Sequence, residues 1–368
     1  MKFSHILFAL YIIIFPFYFF ERGNPQVADI FGVLIIVANI KNILIHIKSN
    51  IFTKALFFFV MYTILVNTVW MSILGEILIL KNSFYYLYSY FLLLAFYTNL
   101  NDKGFLKTFA HAIVLSLLIQ FMLWPFIKGE GVRSMMFFKD PNQLSFWSFS
   151  MLIISYLVSR LANPKPIVLY TMLLLSTFFI FISASKSGLF GCVIFWIYFL
   201  IITRRQIYAY VILGLVAMFF LMTLDKINLN NIDLINNIVE RVMEKKASGG
   251  GTGLEDRGYD RIVKFPQYLF FGAGEGEYQR FNYRIELHST FFNILFSYGF
   301  IGLTIFAFAL IAILRKSDFS VKLILLIIVL YTLAHMTLRS PLFWLSLLLL
   351  FSLKQSKFNN LLNEEKYD

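Results

Sequence analysis

The chain has 368 residues and a formal net charge of +12, although only 14% of its residues are charged. About 25% of the residues of a soluble domain are charged, and 59% of this chain is hydrophobic, so the composition excludes an ordinary soluble protein and indicates a polytopic membrane protein. The positive charge is spread along the chain, which argues against a nucleic-acid partner, and the single Cys192 excludes a disulfide framework and a thiolate metal site.

Apolar runs of span length recur from the N-terminus to residue 353. A membrane helix needs about 20 apolar residues, and twelve spans are predicted, at 3–20, 27–47, 52–74, 83–99, 105–127, 142–162, 166–183, 187–203, 207–224, 288–314, 320–337 and 341–353. No small-x-small cleavage site follows the first run, so it is predicted to be an uncleaved span and not a signal peptide. The expected fold is an all-α transmembrane helical bundle.

The distribution of cations predicts the orientation of these spans. With a cytoplasmic N-terminus, every cytoplasmic connection is basic, as the positive-inside rule requires; these connections contain Lys48, Lys54, Lys103, Lys107, Arg160, Lys165, Arg204, Arg205, Arg315, Lys316 and Lys322. Both termini are therefore expected in the cytoplasm. The predicted organisation is spans one to nine at 1–224, an outer loop at 225–287, spans ten to twelve at 288–353 and a cytoplasmic tail at 354–368.

The only long polar segment is 225–287, which is predicted to be a soluble outer loop. Within it, 231–246 has apolar residues at helical spacing, which indicates an amphipathic helix that lies on the membrane surface or covers the bundle. Three glycines at 249–251 predict a flexible joint, and a second helix is expected over about 258–271, interrupted at Pro266.

Arg257 and Arg261 are four residues apart, so on a helix they would share one face. The planar donor forks of two guanidinium groups suit the oxygens of a pyrophosphate. Alternatively, both arginines pair with the acidic residues beside them, Glu255, Asp256 and Asp260. The local pattern leaves both interpretations open.

His288 opens the tenth predicted span, directly after the segment rich in arginine and glycine. A histidine at such a boundary is commonly a polar anchor, but a neutral imidazole can also accept a proton near pH 7. His335 is the only other histidine expected near the outer face.

Other outer polar residues are further candidates. Lys186 in SASKSG and Arg339 in TLRSP each lie between apolar spans, where a cation is either functional or a snorkelling side chain. Arg133 and Asp140 lie in the second largest outer loop, where Asp140 equally suits a turn and helix cap. Arg280 lies in the late outer loop and joins the candidate binding residues.

Cofactor motifs are absent from the sequence. GAGEGE at 272–277 follows no soluble strand, so it is not a dinucleotide fingerprint. The chain has no HExxH, CxxC or Walker motif. No metal and no nucleotide cofactor is therefore expected.

The late outer loop and the span that follows it carry a family resemblance. Together they resemble the superfamily of Wzy-type O-antigen polymerases and O-antigen ligases. The predicted plan of this chain, with twelve spans and one long outer loop late in the chain, is similar to that of the superfamily. Arg261 followed after ten residues by Gly272 fits the Arg-x10-Gly pattern of these loops, and HSTFFNILFSYGFIG at 288–302 is similar to their His-Asn/Ser…Gly-x-x-Gly segment. Ser289 stands where asparagine is frequent.

Two shorter segments add to this resemblance. SASKSG at 183–188 resembles the Ser-x-Ser-Arg-x-Gly turn of the family, with Lys186 in place of the usual arginine. KDPNQLS at 139–145 resembles its Asp-Pro-Asn segment. The specific part of the match covers about residues 250–302, and the order of the motifs makes it more specific than each motif alone.

The resemblance implies a GT-C-like glycosyltransferase that works without a metal, with inversion, on the outer face of a bacterial cytoplasmic membrane. The donor is a glycan on undecaprenyl pyrophosphate. The acceptor is another lipid-linked repeat unit in a polymerase, or lipid A–core in a ligase, and O-antigen, capsule and exopolysaccharide are all open as products. The size of the outer loop and its Gly-Ala-Gly-Glu-Gly turn favour the polymerase, which could also contact a chain-length regulator protein.

Under this hypothesis the outer cations stabilise the departing pyrophosphate. Arg257, Arg261 and Lys186 would neutralise it, and His288 would orient or deprotonate the attacking hydroxyl, with Glu275 and Glu277 as second candidates for the base. The predicted substrate-binding set comprises Lys186, Arg339, Arg133, Arg280, Glu275 and Asp140.

Two other classes remain as alternatives. A flippase or transporter suits twelve spans, but transporters commonly show internal repeats with interrupted helices in matching positions, and the sequence shows no such symmetry. A structural scaffold would leave the outer cations and His288 unexplained.

Overall fold

Apolar side chains lie on the outside of this protein as well as in its interior. The computed structural model describes residues 2–21, 23–47, 49–127, 133–203, 257–283 and 286–364. Ile30 and Leu65, both on long helices, are each 60% exposed, and many other large apolar residues are similarly open. Soluble monomers rarely expose apolar surface on this scale, so these faces suit contact with lipid.

The described residues form twelve α-helices, of which one is a single short turn in the late loop. They are α1 (Phe3–Ile14), α2 (Val27–His46), α3 (Ile51–Leu74), α4 (Leu80–Tyr97), α5 (Lys103–Leu123), α6 (Pro141–Ala162), α7 (Pro166–Ser183), α8 (Lys186–Thr203), α9 (Asp260–Lys264), α10 (Thr290–Leu314), α11 (Phe319–Leu333) and α12 (Pro341–Glu364). Single 3₁₀ turns occur at Ile77–Ile79, Trp124–Phe126, Pro266–Tyr268 and Tyr278–Phe281.

Among the described residues, seven helical segments are long and apolar enough to cross a membrane. They are Val27–His46, Ile51–Leu74, Ile77–Tyr97, Lys103–Phe126, Pro141–Ala162, Pro166–Ser183 and Thr290–Leu314. Shorter apolar helices occupy Phe3–Ile14, Lys186–Ile202, Phe319–Leu333 and Pro341–Gln355. These segments match the positions of all the predicted spans except 207–224, which lies outside the described residues, as do the predicted helix at 231–246 and the joint at 249–251.

Some boundaries differ from the prediction. The helix α1 ends at Ile14 and not near residue 20, because the ring of Pro16 cannot continue a helix. The helix α12 continues to Glu364, so the predicted tail at 354–368 begins as helix.

One end of the bundle, here called the rim end, gathers the connections α1–α2, α3–α4, α5–α6, α7–α8 and α11–α12 together with residues 257–289. Tyr259, for example, donates its hydroxyl to the Leu333 carbonyl at the end of α11, at 3.3 Å. The opposite end holds the remaining connections, where Tyr198 near the end of α8 bonds to Ser320 at the start of α11. The helix α8 therefore starts at the rim end and finishes at the opposite end, whereas Arg257 lies at the rim end.

The helix α6 lies at the centre of the bundle. Of the residues in its most apolar 18-residue stretch, 83% are buried, against 28% for the corresponding stretch of α2. Small residues allow this close packing: a Cβ on Gly188 of α8 would come within 2.0 Å of the Ser145 hydroxyl oxygen of α6.

The helix α10 is interrupted at Gly299, which has φ 67° and ψ −174°. The break frees carbonyl groups that no longer accept helical hydrogen bonds. Phe296 O instead accepts from Ala273 N, and Ser297 O accepts from Gly274 N, both at 2.9 Å. The late loop thus completes the backbone hydrogen bonding of a broken helix.

Within the predicted outer loop 225–287, residues 268–276 pack between α3 and α10. A Cβ on Gly272 would lie 2.5 Å from the Tyr298 Cα. On the other side, Trp70 of α3 donates its indole N–H to Gly272 O at 3.0 Å. The second predicted helix is also shorter than expected, since only α9 and the turn Pro266–Tyr268 form within 258–271.

Candidate functional site at the rim end

The carboxylate of Glu275 is fully buried between three long helices and the α11–α12 connection. Its Oε2 accepts from the hydroxyls of Tyr86, on α4, and Tyr298, on α10, the latter at 2.8 Å. Its Oε1 accepts from Asn293 Nδ2 at 3.1 Å and from Arg339 Nε and Nη2 at 3.1 and 2.7 Å. These five residues are called the Glu275 network. Each oxygen of the carboxylate is engaged within the protein, so Glu275 is ill placed to act as a base on a substrate.

Arg339 extends this network towards the surface. Its Nη2 also contacts Glu286 Oε2 at 2.6 Å and the Tyr278 hydroxyl at 3.2 Å. Burial alone would lower the pKa of Arg339, but the carboxylates of Glu286 and Glu275 raise it well above its usual range. The guanidinium is therefore a permanent cation held between two carboxylates, and its side chain is 29% exposed.

Arg261 is also fully buried. Its guanidinium carbon lies 4.3 Å from the ring centre of Tyr283, 5.4 Å from Tyr278 and 5.8 Å from Phe296, and its Nε donates to Gly258 O at 3.1 Å. Burial lowers the pKa of Arg261, although the tyrosines and nearby carboxylates oppose that effect. Cation–π contacts of this kind are worth about 2 kcal/mol or more when they are desolvated. Arg261 thus holds the loop together from inside.

Arg257 and Arg261 do not share a helical face, so that prediction is wrong. The helix α9 starts at Asp260, and Arg257 lies ahead of it and is exposed. Gly258, at φ +69°, separates the two arginines, and a Cβ there would come within 2.6 Å of Arg261 Nη2. Of the acidic residues suggested as partners, Asp260 bonds to Lys264 at 2.7 Å, while Glu255 and Asp256 lie outside the described residues.

Arg280, predicted to bind substrate, supports the loop. Its Nη2 donates to the carbonyl oxygens of Ala273 and Gly274, the latter at 3.2 Å. Its guanidinium carbon lies 4.7 Å from the ring centre of Trp70 and 4.5 Å from that of Phe281. Burial lowers the pKa of Arg280. These contacts tie its charge to the loop backbone.

A second polar group surrounds His335 in the α11–α12 connection. The His335 ring bonds to the Ser187 hydroxyl, and its ring centre lies 4.8 Å from that of Tyr331. Burial lowers the pKa of His335 to about 4, and Arg257 and His288 act in the same direction. His335 is thus neutral at pH 7 and close to both of these residues.

Arg257, His288, Arg133 and Asp140 act electrostatically on this imidazole, and Lys186 directly precedes its partner Ser187. The set Arg257, His288, His335, Lys186, Arg133 and Asp140 is called the rim cluster. Arg133 donates to Ser183 O at 3.0 Å and to Asn142 Oδ1 at 2.9 Å, and Asp140 accepts from Asn142 N at 2.6 Å as the cap of α6. The charges of Arg133 and Asp140 both act on His335. Lys186 starts α8 and is exposed, and His288 is half-buried just before Ser289, the cap of α10.

The structure therefore divides the predicted residues into two sets. Glu275, Arg339, Arg261 and Arg280 are held in or beside the inserted loop, which Glu277 directly follows, and the other candidates belong to the rim cluster. His335 belongs to the rim cluster although no sequence motif assigns it a role. In the sequence, His335 is marked only weakly, as a polar residue in the same outer connection as Arg339. Asn67 accepts a hydrogen bond from Glu275 N at 2.9 Å. Its sequence pattern, a polar side chain inside an apolar span, is common and does not single it out.

The rim cluster combines fixed cations with two imidazoles. Cations at the end of an apolar bundle suit an anion that is attached to a lipid, and a neutral imidazole can accept a proton from a hydroxyl group. Within the described ranges, no group of three or more His, Cys, Asp or Glu residues is placed to hold a metal ion.

No family model matches the chain, and no curated protein matches it.

Proposed function

We propose that this protein is a membrane glycosyltransferase that joins oligosaccharide repeat units carried on undecaprenyl pyrophosphate. The observation that supports this proposal most is the rim cluster, in which Arg257 and Lys186 are exposed beside two histidines at one end of an apolar bundle. A lipid-linked pyrophosphate has the matching chemistry, since its charge would lie at the rim and its tail in the bilayer. The order of the sequence motifs supports the same proposal.

The rim end is proposed to face the outside of a bacterial cytoplasmic membrane. The opposite end carries most of the basic connections, among them Lys103, Arg160, Lys165, Arg315 and Lys316, and the positive-inside rule assigns such an end to the cytoplasm. Twelve spans of a GT-C-like protein, with 207–224 as the ninth, would place both termini in the cytoplasm.

In this proposal the rim cluster carries the chemistry. Arg257, Lys186 and Arg133 stabilise the charge that grows on the departing pyrophosphate, as preorganised cations do in other sites. His288 accepts the proton of the attacking hydroxyl. His335, neutral at pH 7, bonds to Ser187 and positions the α7–α8 turn. No step of this scheme needs a metal ion.

Arg261, Arg339 and Glu275 have a different part in this proposal from the one the sequence predicts. Their side chains are held in a buried network, so they position the loop and the α11–α12 connection that carries His335.

The acceptor separates a polymerase from a ligase. A polymerase transfers the growing glycan to a sugar hydroxyl on another lipid-linked unit, whereas a ligase transfers it to lipid A–core. The composition of the late loop favours the polymerase, and contact with a chain-length regulator protein would fit this activity.

A transporter of lipid-linked oligosaccharide is the second candidate, and the break in α10 favours it. Transporters place discontinuous helices around their substrate, and α10 is discontinuous at Gly299. However, the carbonyls freed by this break accept hydrogen bonds from the inserted loop, which leaves them occupied without a substrate.

The deciding experiment uses purified full-length protein in detergent, an undecaprenyl-pyrophosphate repeat unit from the source organism and a chelator of divalent metals. A ladder of products is expected from the parent protein, and none from His288→Ala. The matched control is His46→Ala, since His46 lies at the opposite end of the bundle, and it should retain the ladder. Thermal unfolding of each variant shows whether the protein is folded.

Other outcomes assign the chain differently. One-step transfer that appears only with lipid A–core would make the protein a ligase. Transfer by folded His288→Ala at the parent's rate would remove His288 from the mechanism. No transfer to either acceptor, together with movement of the lipid-linked unit across proteoliposomes, would establish the transporter.

A further inference from the structure

The late loop reaches deep along the helices that it contacts. Gly299, the residue at the break of α10, meets the backbone of Phe270, since a Cβ on it would lie 2.2 Å from Phe270 O. Gly299 follows Thr290, the first residue of α10, by about 13 Å along the helix axis at 1.5 Å per residue. On α3, the Tyr62 hydroxyl donates to Phe271 O at 2.8 Å, and Tyr62 lies about 18 Å from Leu74, the rim end of that helix.

A loop at the membrane surface would reach these positions only if the helices projected far out of the bilayer, and the helices are too short for that. The 25 residues of α10 span about 37 Å, and the hydrocarbon core of a bilayer is about 30 Å thick. If all of the excess, about 7 Å, projected from the rim end, the tip of the loop would still lie about 6 Å inside the hydrocarbon.

The backbone of the loop is hydrogen-bonded as a segment inside hydrocarbon must be. From Gly272 to Glu275, all four N–H groups donate to partners within the protein, which are Tyr268 O, Phe296 O, Ser297 O and Asn67 Oδ1. All four carbonyl oxygens accept, from Trp70, Arg280 (twice) and Asn82. Non-helical backbone is tolerated at membrane depth only when its polar groups are satisfied in this way. A loop in water does not need these internal hydrogen bonds, because water can satisfy its backbone groups.

The side of the loop that faces away from the helices is apolar. Phe270 and Phe271 are 60% and 65% exposed. The neighbouring surfaces of α3 and α10 are apolar too: Leu65 is 60% exposed and Phe300, next to the break, is 52% exposed. The two phenylalanines therefore continue the lipid-facing surface of the long helices.

We propose that residues 266–276 form a re-entrant loop, which enters the bilayer from the rim end and returns to it, with Phe270 and Phe271 in the hydrocarbon. The partner of this apolar surface is the acyl chains of the bilayer. The loop would hold the Glu275 network below the membrane surface and anchor the rim cluster at that surface. This inference does not depend on the proposed enzymatic activity.

Nitroxide labels on single cysteines test the proposal directly. The only native cysteine, Cys192, is buried, so a Cys192→Ala background leaves one label per protein. In full-length protein in liposomes, Phe271→Cys is compared with Leu65→Cys on the exposed face of α3 and Gln279→Cys on the exposed turn that follows the loop. Collision of each label with oxygen, which concentrates in hydrocarbon, and with a water-soluble nickel chelate reports its depth.

The proposal expects the Phe271 label to match the Leu65 label, with high access to oxygen and at least about tenfold less access to the nickel chelate than the Gln279 label. Access to nickel equal to that at Gln279 would show a loop in water and overturn it. Low access to both reagents would mean that protein covers this surface, from another copy or a partner, and would overturn it too. Since Phe270 is similarly exposed, Phe270→Cys repeats the measurement if Phe271→Cys does not fold.

Discussion

The Glu275 network and the rim cluster lie at the same end of the bundle but differ in how their charges are held. Glu275 is completely enclosed and each of its carboxylate oxygens accepts hydrogen bonds from the protein. In the rim cluster, Arg257 and Lys186 are exposed. The difference teaches that polar residues in one motif-rich segment can have separate tasks. The enclosed set supports the loop, and the exposed set is the one to which we assign substrate binding in the proposed function.

Removal of the Glu275 carboxylate should have the largest effect on stability. In Glu275→Ala, Arg339, Asn293 and two tyrosine hydroxyls lose their acceptor. Loss of one partner of a buried ion pair costs about 3–5 kcal/mol, and the lower value is expected because Arg339 is 29% exposed. Thermal unfolding in detergent and the amount of protein in the membrane measure this loss. Glu277→Ala is the control in the same turn, and if it were equally unstable, the Glu275 network would not be the cause.

Gly299→Ala should have the next largest effect, because it attacks the contact between the broken helix and the loop. The new Cβ would lie 2.2 Å from Phe270 O, and φ at this position is +67°. Gly75→Ala is the control for a positive φ without a close contact, since its φ is +74° and nothing lies within 4 Å of the Cβ. Its ψ is 9°, whereas ψ −174° at Gly299 lies in a region that is essentially restricted to glycine and adds to the cost there. The control should lose about 1–2 kcal/mol for its left-handed backbone alone, and Gly299→Ala should lose more. Equal losses, measured by thermal unfolding, would show that the close contact adds nothing.

Arg257→Ala should separate activity from stability. Its side chain is exposed, and surface substitutions generally change stability by less than about 0.5 kcal/mol. Transfer should nevertheless fall about 100-fold, which corresponds to about 2.7 kcal/mol of lost transition-state stabilisation. The paired variant Arg261→Ala should unfold at a lower temperature, because it empties the space between Tyr278, Tyr283 and Phe296. Full transfer by Arg257→Ala would exclude its guanidinium from the site.

The sequence predicts the helices better than it predicts the site. Apolar runs are local, so the helix expected over 142–162 is observed at Pro141–Ala162, with Asp140 as its cap. Glu275, in contrast, meets side chains from α3, α4, α10 and the α11–α12 connection. Partners so far apart in sequence leave no periodic signal. The pattern Arg-x10-Gly marks Arg261 and Gly272 but does not show that one is enclosed by aromatic rings or that the other touches a broken helix.

The pH dependence of stability concerns His335 in the rim cluster. Burial, together with Arg257, His288 and Arg133, lowers its pKa to about 4, and Asp140 opposes this shift. An unfolded chain binds the proton below about pH 6.5, so the unfolded state binds more protons between these two values. The contribution of His335 is therefore complete above pH 6.5, declines as the pH falls towards 4 and is then lost. The difference between 6.5 and about 4, at about 1.36 kcal/mol per pKa unit, gives a total of about 3.4 kcal/mol. Unfolding temperatures of parent and His335→Gln, measured from pH 7.5 to about 4, should converge with acidification because only the parent carries this penalty. Parallel curves would mean that His335 is protonated as easily in the folded protein as in the unfolded chain, and the rim cluster would then hold one more positive charge in acid than the structure assigns to it.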